Sequence, residues 1–293
     1  MHVLLIDVNN IYRRYHGAMK SDGDEESQQR ALKAMEATQS KIFTLCNQLG
    51  ATHACAFFDG DGHTWRHDIH PTYKFDKQTM QPKVKPQAMV DSLFLCQSNL
   101  DNAGIKTHRK ESQEADDSIA TIANKLKGKS GIKVTVVSND KDFSQLYEKN
   151  IRGFHPFKNE YIEEKDVKEK YGYSGEKFLE LLTLSGDDAD NIPGVYGVKE
   201  KTAKKLLDEY GSIENMKLCS HLMKGKLAEN FSKVSGVIDT ELKRLINLRD
   251  ISVKLDFSLS DMRVPSIYRN KNLDAESEFQ KKRQKRRTSH YTP

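Results

Sequence analysis

Asp187 and Asp190 sit in LSGDDADNIPGVYGVKEKTA (184–203), a carboxylate pair followed at once by a turn holding Gly194 and Gly197 and then by a lysine-rich segment. Carboxylates are hard oxygen donors and suit divalent cations. The turn opens onto a helix start, where backbone N–H groups lack intrahelical partners and attract anions. A cation site beside a phosphate cradle points to phosphodiester chemistry on nucleic acid. Further acids are placed for the same work. HVLLIDV (2–8), THACAFF (52–58) and KVTVVSND (133–140) are apolar runs, and they deliver Asp7, Asp59, and Asp140 with Asp142. A lone aspartate at a strand end often only caps the next helix. Four at one edge would repel each other unless a cation held them. In KESQEADDSIATIANKL (110–126), Glu114 and Asp117 are three apart on the first turn of a helix and share a face.

The elements that must carry these acids can be read from periodicity. Three apolar strands ending in carboxylates, with helical segments between them, spell an α/β fold with a mostly parallel central sheet flanked by helices. In such sheets, ligands bind outside the carboxyl ends of the strands. Arg30–Leu49 has helical spacing, after a polar loop at Ser21–Ser27. Trp65 to about Leu100 is basic, aromatic and proline-punctuated: a mobile excursion, then a helix from about Gln87. GIKTH (104–108) is a short strand, and Tyr147 to about Lys170 holds a strand pair and a connecting helix. From Gly175 the chain is helical to about Leu248. Beyond Asp256 it grows irregular, and residues 269–293, with KKRQKRR, read as a disordered tail. The expected division is 1–173, with an excursion at about 62–100, then a helical part at 174–256 and a basic tail at 257–293.

Composition excludes some classes. No apolar run approaches the roughly 20 residues that cross a bilayer, and MHVLLIDVNN is too short in its apolar part for a signal peptide. A cytoplasmic protein is expected. Cys46, Cys55, Cys96 and Cys219 form no CxxC pair and have no histidines at zinc spacing, so reduced and mostly buried thiols are expected. The formal net charge is +5, and the six basic residues Lys281, Lys282, Arg283, Lys285, Arg286 and Arg287 more than account for it. Nucleic-acid binding therefore has to be argued from local placement.

Asp7, FDG with Asp59, EADD at 114–117, SNDKDF at 138–143 and GDDADNIPGVYGVKEKTA at 186–203 together resemble the 5′-nuclease superfamily. Its members include phage 5′-exonucleases, flap endonucleases and the 5′-nuclease domain of bacterial repair polymerases. The likeness runs from about residue 2 to 255. It implies a PIN-like or resolvase-like nuclease core with a C-terminal SAM-like domain of helix–turn–helix type. It also implies a metal-binding set. Asp7, Asp59, Glu114, Asp116, Asp117, Asp140 and Asp142 would come from the core, and Asp187 and Asp190 from the helical part. Some degenerate relatives lose several of the late acids, and this sequence keeps them all.

The resemblance implies two-metal hydrolysis, with two Mg²⁺ or Mn²⁺ about 3.5–4 Å apart. Trp65–Lys77 would open a helical gateway for single-stranded 5′ ends. In that gateway Lys74 would meet the scissile phosphate, and Arg66 and Lys77 would bind DNA. Arg13 matches a recurrent arginine near the first metal ligand. GVYGVKEKTA would grip duplex DNA through its phosphates. Gly194 and Gly197 would permit close approach, and Lys199, Lys201, Thr202, Lys204 and Lys205 would contact the backbone. Relatives often hold K⁺ in this hairpin through backbone carbonyls; here Lys199 stands where their glycine does.

The implied function is a structure-specific 5′-3′ exonuclease and 5′-flap endonuclease in replication or repair, acting as a monomer and with no polymerase fused. Two rivals and one side activity remain. A catalytically weak DNA-structure binder would be marked by missing carboxylates. A small PIN-type ribonuclease would lack the helical part. RNase H-like cleavage of RNA–DNA hybrids is a plausible side activity.

Overall fold

The computed structural model describes residues 1–19, 24–76, 78–83 and 85–269. Lys77 and the KKRQKRR run lie outside the described residues.

The chain begins with β1 (His2–Asp7), α1 (Val8–Ala18), α2 (Asp24–Gln48) and β2 (His53–Phe57). The segment expected to form the gateway follows, with α3 (Trp65–Ile69) and α4 (Gln87–Asn102). Then come β3 (Lys106–His108), α5 (Ala115–Leu126), β4 (Lys133–Val137), β5 (Ile151–His155), β6 (Glu160–Ile162) and α6 (Glu164–Tyr171). The sheet order is β3-β2-β1-β4-β5-β6, with all neighbours parallel except β5 and β6. Central β1 shows why. Val3 and Leu5 face the core shared with α5 and the helical region, while Leu4 and Ile6 face the core under α1, α2 and α4. Alternate residues of a strand point to opposite faces, so a strand covered on both sides must be apolar throughout. Each such side chain contributes about 1.5–3 kcal/mol on burial.

The helical region comprises α7 (Gly175–Ser185), α8 (Glu200–Tyr210), α9 (Ile213–Leu218), α10 (Gly225–Ser235) and α11 (Lys243–Ile246). α7 packs against α8 and against the 3₁₀ turn Asp142–Leu146, which seats this region on the edge of the sheet where its parallel strands end. Two expectations need correction. α2 starts at Asp24, inside the stretch read as a loop, because its apolar residues begin only downstream and leave no period to read in its first turn. Residues 257–269 are not a free tail. They fold back on β2 and α2: Val264 N donates to Thr52 O at 3.1 Å, and Tyr268 stacks on Phe43 at 4.6 Å.

Candidate metal centre and nucleic-acid interface

Asp7 closes β1 and caps α1. Its Oδ1 accepts from Asn10 N at 3.0 Å, and its Oδ2 accepts from Ser138 Oγ at 3.0 Å. Ser138 Oγ also accepts from Asp140 N at 3.0 Å, tying the end of β1 to the end of β4. Asp140 Oδ1 in turn accepts from Asp142 N at 2.9 Å. Asp59 is gripped by Asn9, whose Nδ2 donates to Oδ2 at 2.7 Å while its Oδ1 accepts from Asp59 N at 3.3 Å. The first turn of α5 adds Ala115 N, 3.2 Å from Asp59 Oδ1, and Arg13 Nη2 lies 3.6 Å from Asp59 Oδ2. Asn9 and Ser138 went unremarked in the sequence. Their signal was a polar residue beside each strand-end acid.

The acids press on one another. Burial, then the charges of Asp59 and Asp140, push Asp7 up to about 7, against the hydrogen bonds from Asn10 and Ser138. Burial and the charges of Asp7 and Asp140 hold Asp116 well above the carboxylate range. Burial and Asp140 do the same to Asp142. Asp142 Oδ1 is buried with no hydrogen-bond partner. A buried carboxylate oxygen left unpaired is costly, and a cation is the partner that oxygen donors of this kind take. From the helical region, Asp187 Oδ2 lies 3.3 Å from Lys141 Nζ, and Asp190 Oδ2 lies 3.8 Å from Lys74 Nζ. Burial raises Asp190 as well, with the nearby Lys74 opposing. Among the described residues no three of these acids converge into a ready ligand cage; they line the edge, with Lys74, Lys141 and Arg13 between them. The donor set fits divalent cations.

Asp117 and Glu114 share a helix face, but it is turned to Arg66. Asp117 is 0% exposed and accepts from Arg66 Nη1 at 3.0 Å, Arg66 Nη2 at 2.7 Å and Trp65 Nε1 at 2.8 Å. It is closed to a metal, which corrects its expected role. Arg66, expected on DNA, is 3% exposed; it also donates to Glu114 Oε2 at 2.6 Å and, through Nε, to Leu245 O at 2.9 Å. Its guanidinium is committed inside the protein. Glu114 accepts from Arg66, Tyr73 and Lys74. Burial would raise its pKa, but Lys74 and Arg66 pull it down to about 2. Burial opposes the charge of Lys74, yet Glu114, Tyr73 and Asp190 hold its ammonium well above the usual lysine range.

In the hairpin, Gly197 is exposed with φ +79° and open space around it, as close approach requires. Gly194 is different. A Cβ there would lie 2.4 Å from Gly186 N and 2.5 Å from Leu184 O, so its bareness serves internal packing and not DNA. Lys199, Lys201, Lys204 and Lys205 are exposed at the start and flank of α8, with Thr202 half-buried. Lys199 Nζ pairs with Asp188 Oδ2 at 2.6 Å, and the Lys204 amine lies against Gly172.

Residues 2–172 match the model of the 5′-3′ exonuclease N-terminal resolvase-like domain, and residues 173–270 match that of the 5′-3′ exonuclease C-terminal SAM fold. The chain is 33% identical over 270 residues to the flap endonuclease Xni of Pseudoalteromonas translucida, covering 90% of this chain and 98% of that protein. It is 30% identical over 275 residues to the Xni of Colwellia psychrerythraea, covering 90% and 92%. Its fold is similar to that of a bacteriophage T5 protein co-crystallised with metal ions, with a TM-score of 0.71 at 19% identity over 85% of this chain and 90% of that one. A complex of the T5 flap endonuclease with DNA and metal ions gives a TM-score of 0.68 at 20% identity, with the same coverage. With both domain models matched in order from residue 2 to residue 270, the chain belongs to the 5′-3′ exonuclease family and is a nuclease.

Proposed function

We propose that this nuclease hydrolyses DNA phosphodiester bonds at free 5′ ends and 5′ flaps, using divalent cations held by Asp7, Asp59, Asp116, Asp140 and Asp142 from the sheet edge and by Asp187 and Asp190 from the helical region. The observation that carries this reading is the partnerless buried Oδ1 of Asp142 within a crowd of mutually repelling carboxylates. Bound Mg²⁺ or Mn²⁺ would supply Lewis acidity and an acidified water. The chain's own side chains do the rest. Lys74, beside Asp190 at the mouth of the site, offers its ammonium to the scissile phosphate in exchange for Glu114. Arg13, exposed beside Asp59, offers a fork to a neighbouring phosphate. The α8 lysines and the open Gly197 turn hold the duplex by its backbone, which favours recognition of structure over sequence.

Potassium is a finer point. The carbonyls that would take K⁺ at this turn include those of Val195 and Tyr196, which also accept from Val198 N and Asn230 Nδ2. No step is assigned to that ion. We place the enzyme in the cytoplasm as a monomer, with RNA–DNA hybrids as a secondary substrate.

The test uses a 5′-labelled flap, a nicked duplex and an RNA–DNA hybrid, each with Mg²⁺ and with EDTA, on the native protein and on Asp142→Asn. Metal-dependent cleavage that falls by about 100-fold or more in the variant is expected. Tight flap binding without cleavage in Mg²⁺ or Mn²⁺ would leave a DNA-structure binder instead.

A further inference from the structure

The strap His70–Lys74, which follows α3, is fastened to Asp190–Asn191 far along the chain. Lys74 N donates to Asp190 O at 2.8 Å. Asn191 Nδ2 donates to Thr72 O at 2.9 Å and to Thr72 Oγ1 at 3.2 Å. His70 Nε2 donates to Asn191 O at 2.9 Å, since a carbonyl can only accept. Both Lys74 (φ 56°) and Asn191 (φ 55°) are left-handed. For Lys74 that region costs energy that its surroundings must offset, while Asn adopts it more readily. Here each of the two left-handed residues is held by the other's segment.

The Asn191 side of the clasp is itself rigid. Asp187 and Ile192 exchange both backbone hydrogen bonds, at 3.0 and 2.8 Å, and Val195 N reaches Leu184 O at 2.9 Å. Gly186 and Gly194 stack backbone on backbone. The block therefore runs without a loose joint from Asn191 to the Gly197 turn and the α8 lysines. On its other side, the clasp ends at the Lys74 ammonium. We propose that Asn191 is a positioning residue: it fixes the distance from the duplex-gripping hairpin to Lys74 and so sets which phosphodiester is cut. This rests on the reading of Lys74 as the scissile-phosphate contact. It adds that the cut register is measured through Asn191 and Thr72.

The test compares the full chain with Lys74→Ala, Asn191→Ala, Asn191→Asp and Thr72→Val on a 5′-labelled flap, recording single-turnover rate, position of the cut, and flap affinity in EDTA. Lys74→Ala is expected to slow cleavage and, with the ammonium that selects the phosphate gone, to scatter the cuts that remain. Asn191→Ala is expected to lose about 10–100-fold in rate, as a misplaced group does, and to scatter cuts over neighbouring phosphates at unchanged flap affinity. Asn191→Asp, which keeps the shape but loses both amide donors, should behave like Asn191→Ala. Thr72→Val, which loses the hydroxyl acceptor alone, should scatter less. A single sharp cut at the native position in Asn191→Ala, or a rate loss accounted for by weaker binding, overturns the proposal. If Asn191→Ala does not fold, sharp native cutting by Thr72→Val overturns it. Full rate in Lys74→Ala overturns the Lys74 reading and the proposal with it, and is distinguishable because the cut position is scored separately.

Discussion

Three carboxylates in a row along one helix turn have three different fates. Glu114 answers to Arg66, Tyr73 and Lys74; Asp117 to Arg66 and Trp65; Asp116 alone faces Asp7 and Asp140. The sequence makes the acidic triplet plain but cannot say which face a helix turns inward, because that is decided by Arg66, which lies far away in the chain. The strand-end acids were legible because an apolar run fixes its own end. Asp7 yields a pH prediction. Its folded pKa, near 7, is above the ordinary carboxylate value, so the metal-free fold holds protons that the unfolded chain releases between about pH 4 and 7. Asp116 and Asp142 are raised in the same direction. Bound cations must displace those protons. The gain in melting temperature from Mg²⁺ over EDTA should be small at pH 5.5 and grow through pH 7 to pH 8. Histidines with lowered pKa, such as buried His108 and half-buried His67, act in both conditions and cancel in the difference. A gain that shrinks as pH rises would count against the assigned ligand set.

At the scale of elements, the turn between α7 and α8 shows how a pattern can be seen and its purpose misjudged. Gly194 and Gly197 look alike in GVYG, and both were expected to face DNA. Only the fold reveals that Gly194 is pressed against Gly186 while Gly197 stands in open space. The expected outcome is an ordering. Gly194→Ala meets backbone atoms that no rotamer change can move aside and should cost about 1–3 kcal/mol or more. Gly197→Ala meets nothing and pays only for its left-handed φ, about 1–2 kcal/mol. Urea unfolding of the two variants checks this, and a larger loss in Gly197→Ala would refute the packing argument. The strands and long helices were legible from periodicity. The return of residues 257–269 onto β2 and α2 was not, since its short 3₁₀ turns have no period to read.

For the molecule as a whole, Arg66 is the staple. It joins α3 and α5 of the nuclease part to Leu245 of α11 in the helical part, a contact 179 residues apart in sequence. Removing one partner of a buried ion pair costs about 3–5 kcal/mol, because the charge left behind has no water. Arg66→Met should therefore destabilise by that amount in denaturant unfolding, and adding Asp117→Leu should recover part of it. A loss below about 1 kcal/mol would mean that the pair is worth no more than a surface contact. The thiols have another consequence at this scale. Cys46, Cys55 and Cys96 are sealed in the core, where burial lifts Cys46 and Cys96 to about 12, while Cys219 at the end of α9 is partly open. A maleimide dye would find one ready attachment point, on the helical half of the protein that is proposed to hold the duplex. The native chain thus carries its own handle for watching DNA arrive.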